Sequence, residues 1–189
     1  MRLIATVLIL CSAGLSRQLL SNGNFELPPD SGWTQSAWGE FTDTGNCRVR
    51  WRHAHNGDRD FELMVHKMLN KGFRLDQRVE LPTLDVGFRA SARLTSKTEN
   101  LAYYAAAAVC LEYLDERDSV LGETRIYSAT TGCPWSSGPR LHLIGAPDSL
   151  NWHEYSLMVQ DELGDLPGVD PDSVVAVNLV LLTYVDRNG

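Results

Sequence analysis

The sequence has little positive charge and no basic tract. Its 17 lysines and arginines are outnumbered by 24 acidic residues, and the formal net charge is −7. A chain of this charge is repelled by nucleic acid and by anionic lipid, so a nucleic-acid partner is not expected. The nearest approach to a basic cluster is the alternation of Arg48, Arg50 and Arg52, which is typical of the solvated face of a strand.

The sequence also lacks the motifs of common enzyme classes. It contains no Gly-x-Ser-x-Gly elbow, no His-Glu-x-x-His motif and no glycine-rich phosphate loop. A pair of carboxylates for glycoside hydrolysis could form on any β-sandwich, but the sequence singles out no particular pair. His53 and His55 would share one face of a strand and could begin a zinc site, yet no third ligand has a convincing spacing. We therefore expect a protein that is not an enzyme.

No apolar run approaches the roughly 20 residues that a membrane-spanning helix needs. Residues 3–11 are apolar and are followed by small residues at 12–16. This layout predicts a secretory signal peptide over 1–16, cleaved after Ala13 or Ser16, and a secreted, extracellular, periplasmic or cell-surface protein. Lipidation at Cys11 is the alternative, although Leu10 stands where that signal requires a small residue. The predicted mature domain is 17–189.

Cysteine is scarce, with 4 in the chain. Removal of the predicted signal leaves Cys47, Cys110 and Cys133, an odd number that permits at most one internal disulfide. Cys110–Cys133 is the preferred bridge, because Cys110 lies in a predicted strand and Cys133 in a loop that a crosslink would fix. The alternative is that all three are buried free thiols.

Alternation of apolar and polar residues indicates β-strands along most of the mature chain. The predicted strands are 47–53, 61–68, 72–81, 86–95, 103–114, 120–127, 152–159 and 173–185. Residues 128–147 and 161–172 are predicted loops, and no helix of ordinary length is expected. The alanines of 103–114 would let an opposed sheet or a ligand approach the backbone closely. Several short strands with frequent turn signals favour a β-sandwich or barrel.

The stretch 19–26 organises the start of the mature chain. An Asn22-Gly23 step accepts positive φ, Phe25 supplies an inward anchor, and Glu26 presents a carboxylate beside the turn. With Trp33 nearby, this stretch resembles the opening of secreted carbohydrate-binding modules with a galactose-binding-like jelly-roll fold. Three later runs are similar to strands of those modules in the same order, namely 73–81 with its internal Gln77, 110–115 with its Glu-aromatic-apolar-Asp end, and 152–155 with its Trp-x-x-Tyr pattern.

The resemblance implies an all-β jelly-roll β-sandwich that binds a polysaccharide or another glycan. It also implies a structural calcium ion, with Glu26 as one ligand and the turn near Asp58 supplying others, since calcium prefers oxygen ligands. Asn188-Gly189 after an apolar strand is a strong hairpin signal. The family's last strand would follow that turn, so we expect a longer polypeptide with downstream domains.

A pyranose ring requires an aromatic platform for its C–H face and a polar rim for its hydroxyl groups. Candidates for the platform are Trp38, Trp51, Tyr104, Trp135 and Tyr184, and candidates for the rim are Arg89, Arg93 and Glu112. Tyr104 and Glu112 share one face of their strand because their separation is even. The alternative is a structural or adhesive extracellular β-sandwich whose aromatic residues belong to the core and which has no sugar site.

Overall fold

The structure, a computed structural model, is an all-β fold with one short helix and two sheets packed across an apolar core. It describes residues 3–6, 18–39, 47–53, 61–68, 70–100 and 102–187. For residues 3–6, 47–53, 61–62 and 187 the description is limited to the backbone. The all-β class predicted from the sequence is confirmed.

The elements follow one another along the chain with short connections. The strands are β1 (Leu3–Thr6), β2 (Thr34–Trp38), β3 (Cys47–His53), β4 (Phe61–Lys67), β5 (Lys71–Glu80), β6 (Gly87–Leu94), β7 (Tyr103–Leu114), β8 (Val120–Ala129), β9 (Leu141–Gly145), β10 (His153–Met158) and β11 (Ala176–Arg187). The helix α1 is Val159–Gly164, and Pro171–Ser173 forms a single 3-10 turn.

All eight predicted strands are present, and β3 and β7 have the predicted bounds. Three elements lie in segments that were predicted as loops or left unassigned, namely β2, β9 and α1. The strand β2 is almost wholly exposed, so its sequence has no apolar alternation. The helix α1 has only 6 residues, which is too short for helical periodicity to be recognised.

The six-stranded sheet has the order β2-β5-β11-β7-β8-β9. Its strands are antiparallel except for the pair β8 and β9, which is parallel. The long strand β11 lies between β5 and β7, so Asn178 has Arg78 as its neighbour on one side and Glu112 on the other. This pairing brings distant parts of the chain together on one sheet.

The five-stranded sheet has the order β10-β6-β1-β4-β3. Its middle strand, β1, pairs with both β4 and β6, and Leu3 is the neighbour of Val65 and of Leu94. The strand β1 falls inside the predicted signal peptide, and the cleavage of residues 1–16 stays a prediction.

Alternate strand positions fill the space between the two sheets. In β6, Phe88 and Ala90 are buried while Arg89 is exposed, as the alternation predicted. The opposite sheet contributes Leu75, Leu111, Leu179 and Leu181, all of them buried. Each sheet therefore has one apolar face toward the core and one face toward solvent.

The turn of residues 22–25 closes one side of this core. Phe25 is fully buried, and its ring lies 5.4 Å from that of Trp33. Positive φ angles of 50° and 53° occur at Asn22 and Phe25. Positive φ was predicted for the Asn22-Gly23 step and is present at Asn22. Gly23 does not have it and is instead buried close to other side chains. The predicted inward anchor at Phe25 is confirmed.

Candidate functional site

The solvent-directed face of the six-stranded sheet carries four of the eight side chains that were predicted to bind a ligand, namely Trp38, Tyr104, Glu112 and Tyr184. We call it the outer face. Its residues are alternate positions of five strands, namely Thr34, Ser36, Trp38, Gly72, Arg74, Asp76, Arg78, Tyr104, Ala106, Ala108, Cys110, Glu112, Glu123, Arg125, Tyr127, Asn178, Val180, Leu182, Tyr184 and Asp186.

At one end of the outer face, Trp38, Tyr104 and Tyr184 form an aromatic cluster. The ring centroids of Trp38 and Tyr184 are 6.4 Å apart, and Tyr184 stacks on Tyr104 at 5.6 Å with an interplanar angle of 22°. The indole of Trp38 lies directly over Gly72, where an added Cβ atom would be only 2.0 Å from the indole Cζ2. Trp38 is nevertheless 40% exposed, so its ring presents an aromatic surface to solvent.

An ion pair borders the aromatic cluster. The Nζ atom of Lys71 lies 3.1 Å from a carboxylate oxygen of Asp186. The hydrogen bond to Asp186 and the proximity of Tyr184 raise the pKa of Lys71. Burial and a hydrogen bond to Tyr184 raise the pKa of Tyr104. Both groups therefore keep their protons at neutral pH and can donate hydrogen bonds to a ligand on the aromatic cluster.

A second aromatic contact lies on the other side of the outer face. The guanidinium carbon of Arg125 is 4.4 Å from the centroid of the Trp135 ring, and Tyr127 is 6.0 Å from the same tryptophan. Arg125 also donates to both carboxylate oxygens of Glu123, at 2.7 Å for the Nη2 contact. This cation–π stack holds the loop that carries Trp135 against the sheet.

The alanine-rich part of β7 is covered by aromatic and aliphatic side chains of the same chain. Ala108 and Val180 are almost completely buried and pack against Tyr127, Trp135 and Leu182. The small residues were expected to admit an opposed sheet or a ligand, and here they admit these side chains. The outer face is therefore an aromatic surface at these positions and not an open cleft.

Charged side chains occupy the centre of the outer face. An oxygen of Glu112 accepts hydrogen bonds from Arg74 at 2.8 Å and from Asn178 at 2.9 Å. Arg74 also contacts Asp76 at 3.0 Å. The side-chain oxygen of Asn178 is buried and, among the described residues, has no hydrogen-bond partner. The arginine charge is thus neutralised, and one buried acceptor is left unpaired.

The structure places Trp38, Tyr104, Tyr184 and Glu112 on the outer face and packs the loop residue Trp135 against it, and all five were predicted to bind a ligand. Arg89 and Arg93 do not join them, because both lie on β6 and face away from the core on the opposite sheet. The prediction that these two arginines line the same surface as the aromatic residues is wrong. The side chain of Trp51 lies outside the described residues.

Arg74, Arg125 and Asn178 were not predicted to belong to the site. Arg125 is the cross-strand neighbour of Cys110, and Asn178 that of Glu112. Opposite charges two residues apart in a strand lie on the same face and can form an ion pair. This pattern could have identified Arg74 and Arg125 from the sequence. Arg74 with Asp76 and Glu123 with Arg125 have this spacing.

The predicted disulfide between Cys110 and Cys133 is wrong, because both cysteines are free. Cys110 is buried in β7 in a small cluster with Ala108 and Val180, whereas Cys133 is half-buried in the loop that follows β8.

We expect the two thiols to differ in reactivity. Cys110 is 1% exposed, and burial raises its pKa well above the ordinary value. Cys133 is half-buried, and burial raises its pKa as well. Because the thiolate is the reactive form, iodoacetamide at pH 8 should modify Cys133 more slowly than a free cysteine peptide, and Cys110 only after unfolding in urea. Peptide mass spectrometry measures both rates, and a peptide pair crosslinked through Cys110 and Cys133 would contradict the expectation.

Of the two residues predicted to bind calcium, Glu26 alone is among the described residues. Glu26 is exposed, and its backbone N–H points to the side chain of Asn24 at 3.4 Å. Asp58 lies outside the described residues, so a calcium site at these positions stays a prediction. Within the described part of the chain, His142, Glu162 and Asp165 are the acidic and histidine residues whose ligand atoms come close enough to hold a metal ion.

No protein-family model and no curated protein sequence matches this chain. No helix among the described residues is both long enough and apolar enough to cross a membrane. The function is therefore inferred from the side chains of the outer face.

Proposed function

We propose that this chain is a non-catalytic carbohydrate-binding module with the jelly-roll topology of galactose-binding-like domains, and that the outer face holds the glycan. The observation that carries the proposal is the exposed indole of Trp38, supported from below by Gly72 and at its edge by Tyr184. An aromatic ring held flat against a rigid sheet is the surface that the apolar face of a pyranose requires.

Hydrogen-bonding groups border the aromatic cluster. Lys71 and Asp186 offer a charged donor and a charged acceptor beside the aromatic cluster. Tyr104 and Tyr184 add phenol hydroxyl groups, and Arg74 with Glu112 extend the polar surface toward the centre of the sheet. Charge-assisted hydrogen bonds to a hydroxyl group are stronger than neutral ones, so this rim would orient the sugar after stacking.

The charge pattern of the outer face favours a neutral glycan. Lys71, Arg74, Arg78 and Arg125 each form an ion pair with a carboxylate. A sulfate or uronate group would have to displace one of these carboxylates and would meet the acidic field of a chain with a net charge of −7. A neutral polysaccharide meets no such barrier.

The proposal includes export through the predicted signal peptide and attachment to downstream domains of a longer polypeptide. Weak binding by such a module keeps the attached domains close to the polysaccharide and raises their effective concentration. A structural calcium ion at Glu26 and Asp58 belongs to the same proposal.

A structural or adhesive sandwich remains the second candidate. The observation that favours it is the half-buried state of Tyr104, Tyr127, Trp135 and Tyr184, together with the ion pairs that already satisfy the cations. In that case the outer face would contact a neighbouring protein and not a sugar.

Affinity electrophoresis and pull-down with a panel of neutral and acidic polysaccharides, with and without calcium, distinguish the two functions. We expect retention by at least one neutral polysaccharide and a loss of about tenfold in affinity for Trp38→Ala, corresponding to about 1.4 kcal/mol of stacking. Leu150→Ala is the matched control, because Leu150 is 77% exposed and lies outside the outer face. Folded protein that binds none of the glycans would support the structural sandwich.

A further inference from the structure

A compact group of polar side chains lies away from the aromatic cluster, where α1 meets the parallel edge strand β9. It consists of His142 on β9, Glu162 in α1 and Asp165 just after α1. The Nδ1 atom of His142 lies 2.8 Å from an oxygen of Glu162 and 3.8 Å from an oxygen of Asp165. One ligand atom from each residue lies within 4.8 Å of the other two.

Local structure explains why the two carboxylates converge on one histidine. Glu162 and Asp165 are three residues apart in and after a helical turn, so their side chains lie on the same side of α1. His142 lies on β9, where it is the neighbour of Thr124 on β8. Glu162 and His142 thus come from segments that are separate in sequence and fixed by the sheet.

The carboxylate of Glu162 is buried. Its negative charge has to be balanced by His142 or by an ion held among His142, Glu162 and Asp165. Its side chain is only 9% exposed. Of the described basic residues, His142 alone has a nitrogen atom within 4.0 Å of its oxygens. The other contact to Glu162 is neutral, a hydrogen bond from the hydroxyl of Thr124 at 3.0 Å. A buried carboxylate without a full positive charge is costly, and such groups are paired or coordinate a metal.

We propose that His142, Glu162 and Asp165 bind one divalent metal ion of the zinc class, which fastens α1 and its flanking loop to the edge of the six-stranded sheet. One imidazole nitrogen with two carboxylates is a ligand set suited to zinc and its transition-metal neighbours. Calcium is disfavoured here, because it prefers six or more oxygen ligands.

The observed spacings fit such an ion after a small movement. Two ligand atoms that are each about 2.0 to 2.1 Å from a tetrahedral zinc ion are roughly 3.3 Å apart. The distance from His142 to Asp165 is 3.8 Å and that from His142 to Glu162 is 2.8 Å, so each of these would change by about 0.5 Å. The carboxylates of Glu162 and Asp165 lie within 4.8 Å of each other and would approach by up to about 1.5 Å. The imidazole would carry its proton on Nε2, leaving the Nδ1 lone pair for the ion. Asp165 is 63% exposed, which gives an ion access from solvent.

A hydrogen-bonded chain behind the group orients the buried carboxylate. The hydroxyl of Tyr113 lies 3.0 Å from that of Thr124. Because Thr124 donates its proton to Glu162, Tyr113 must donate to Thr124. Such outer contacts fix the orientation of ligand side chains in metal sites.

Cobalt and zinc titrations of the full, tag-free chain test the proposal. We expect one ion per chain, a visible d–d absorption band with Co²⁺ that Zn²⁺ removes, and a rise of several degrees in the melting temperature with Zn²⁺ but not with Ca²⁺ or Mg²⁺. Asp165→Ala should weaken uptake at least tenfold while leaving the fold intact, since Asp165 is exposed. His142→Gln should remove the absorption band.

His153→Gln is the matched control. His153 forms a similar pair with Asp148, at 3.1 Å, in which a single carboxylate from the described part of the chain faces the imidazole. This variant should bind Co²⁺ as the parent does. Uptake that persists at full strength in Asp165→Ala would mean that the ion lies elsewhere, for example on thiols, and would overturn the proposal, as would the absence of any uptake by the parent chain.

Discussion

Replacing Gln77 with methionine is expected to lower the free energy of unfolding by about 3 kcal/mol, because three hydrogen bonds are lost and buried polar groups are left without partners. The side chain of Gln77 is 7% exposed. Its oxygen accepts from the backbone N–H of Ser21 at 2.7 Å, and its amide donates to the carbonyl groups of Ser21 and Gly32 at 2.9 and 2.6 Å. One amide thus joins both ends of the loop 21–32 to β5.

Methionine is chosen because it nearly preserves the volume of glutamine, so the loss reports hydrogen bonding and not a cavity. Urea denaturation followed by tryptophan fluorescence measures the change, since Trp33 is packed inside the affected loop. Gln35→Met is the matched control on the neighbouring strand β2, where the side chain is exposed. A difference of less than 1 kcal/mol between the two variants would show that Gln77 does not hold the loop.

The Gln77 interaction also illustrates what could be predicted from the sequence. The turn, the anchor and the strand with an internal glutamine were each recognised as separate features. The hydrogen bonds that connect them join residues 56 and 45 positions apart, and no local pattern encodes such a pairing. Local alternation predicted the strands because it depends on one buried and one exposed face within each strand.

In the candidate site too, features within one strand were predicted, whereas contacts between strands were not. Tyr104 and Glu112 were correctly placed on one face of β7, because side-chain direction alternates within a strand. The contact of Glu112 with Arg74 depends on β11 lying between β5 and β7, which is a property of the whole sheet. Arg89 was assigned to the wrong surface for the same reason, since nothing in its own strand indicates which of the two sheets it joins.

Replacing Gly72 with alanine is expected to weaken glycan binding about tenfold, as much as Trp38→Ala does, although Gly72 itself has no side chain to contact a sugar. A Cβ atom at this position would lie 2.0, 2.3 and 2.5 Å from three atoms of the Trp38 indole. The ring has to leave the sheet, and the flat support that orients it is lost. Overpacking of this kind should also lower the free energy of unfolding by about 1 to 3 kcal/mol.

Two comparisons separate this effect from a general loss of stability. Gly145→Ala adds the same methyl group to β9, where a Cβ atom meets nothing within 4 Å, and it should leave both binding and stability nearly unchanged. In a Trp38→Ala background, Gly72→Ala should cause little further loss of either, because the two substitutions act through one contact and are coupled. Additive losses in the double variant, or full glycan binding by Gly72→Ala alone, would mean that the supported indole of Trp38 is not the sugar platform.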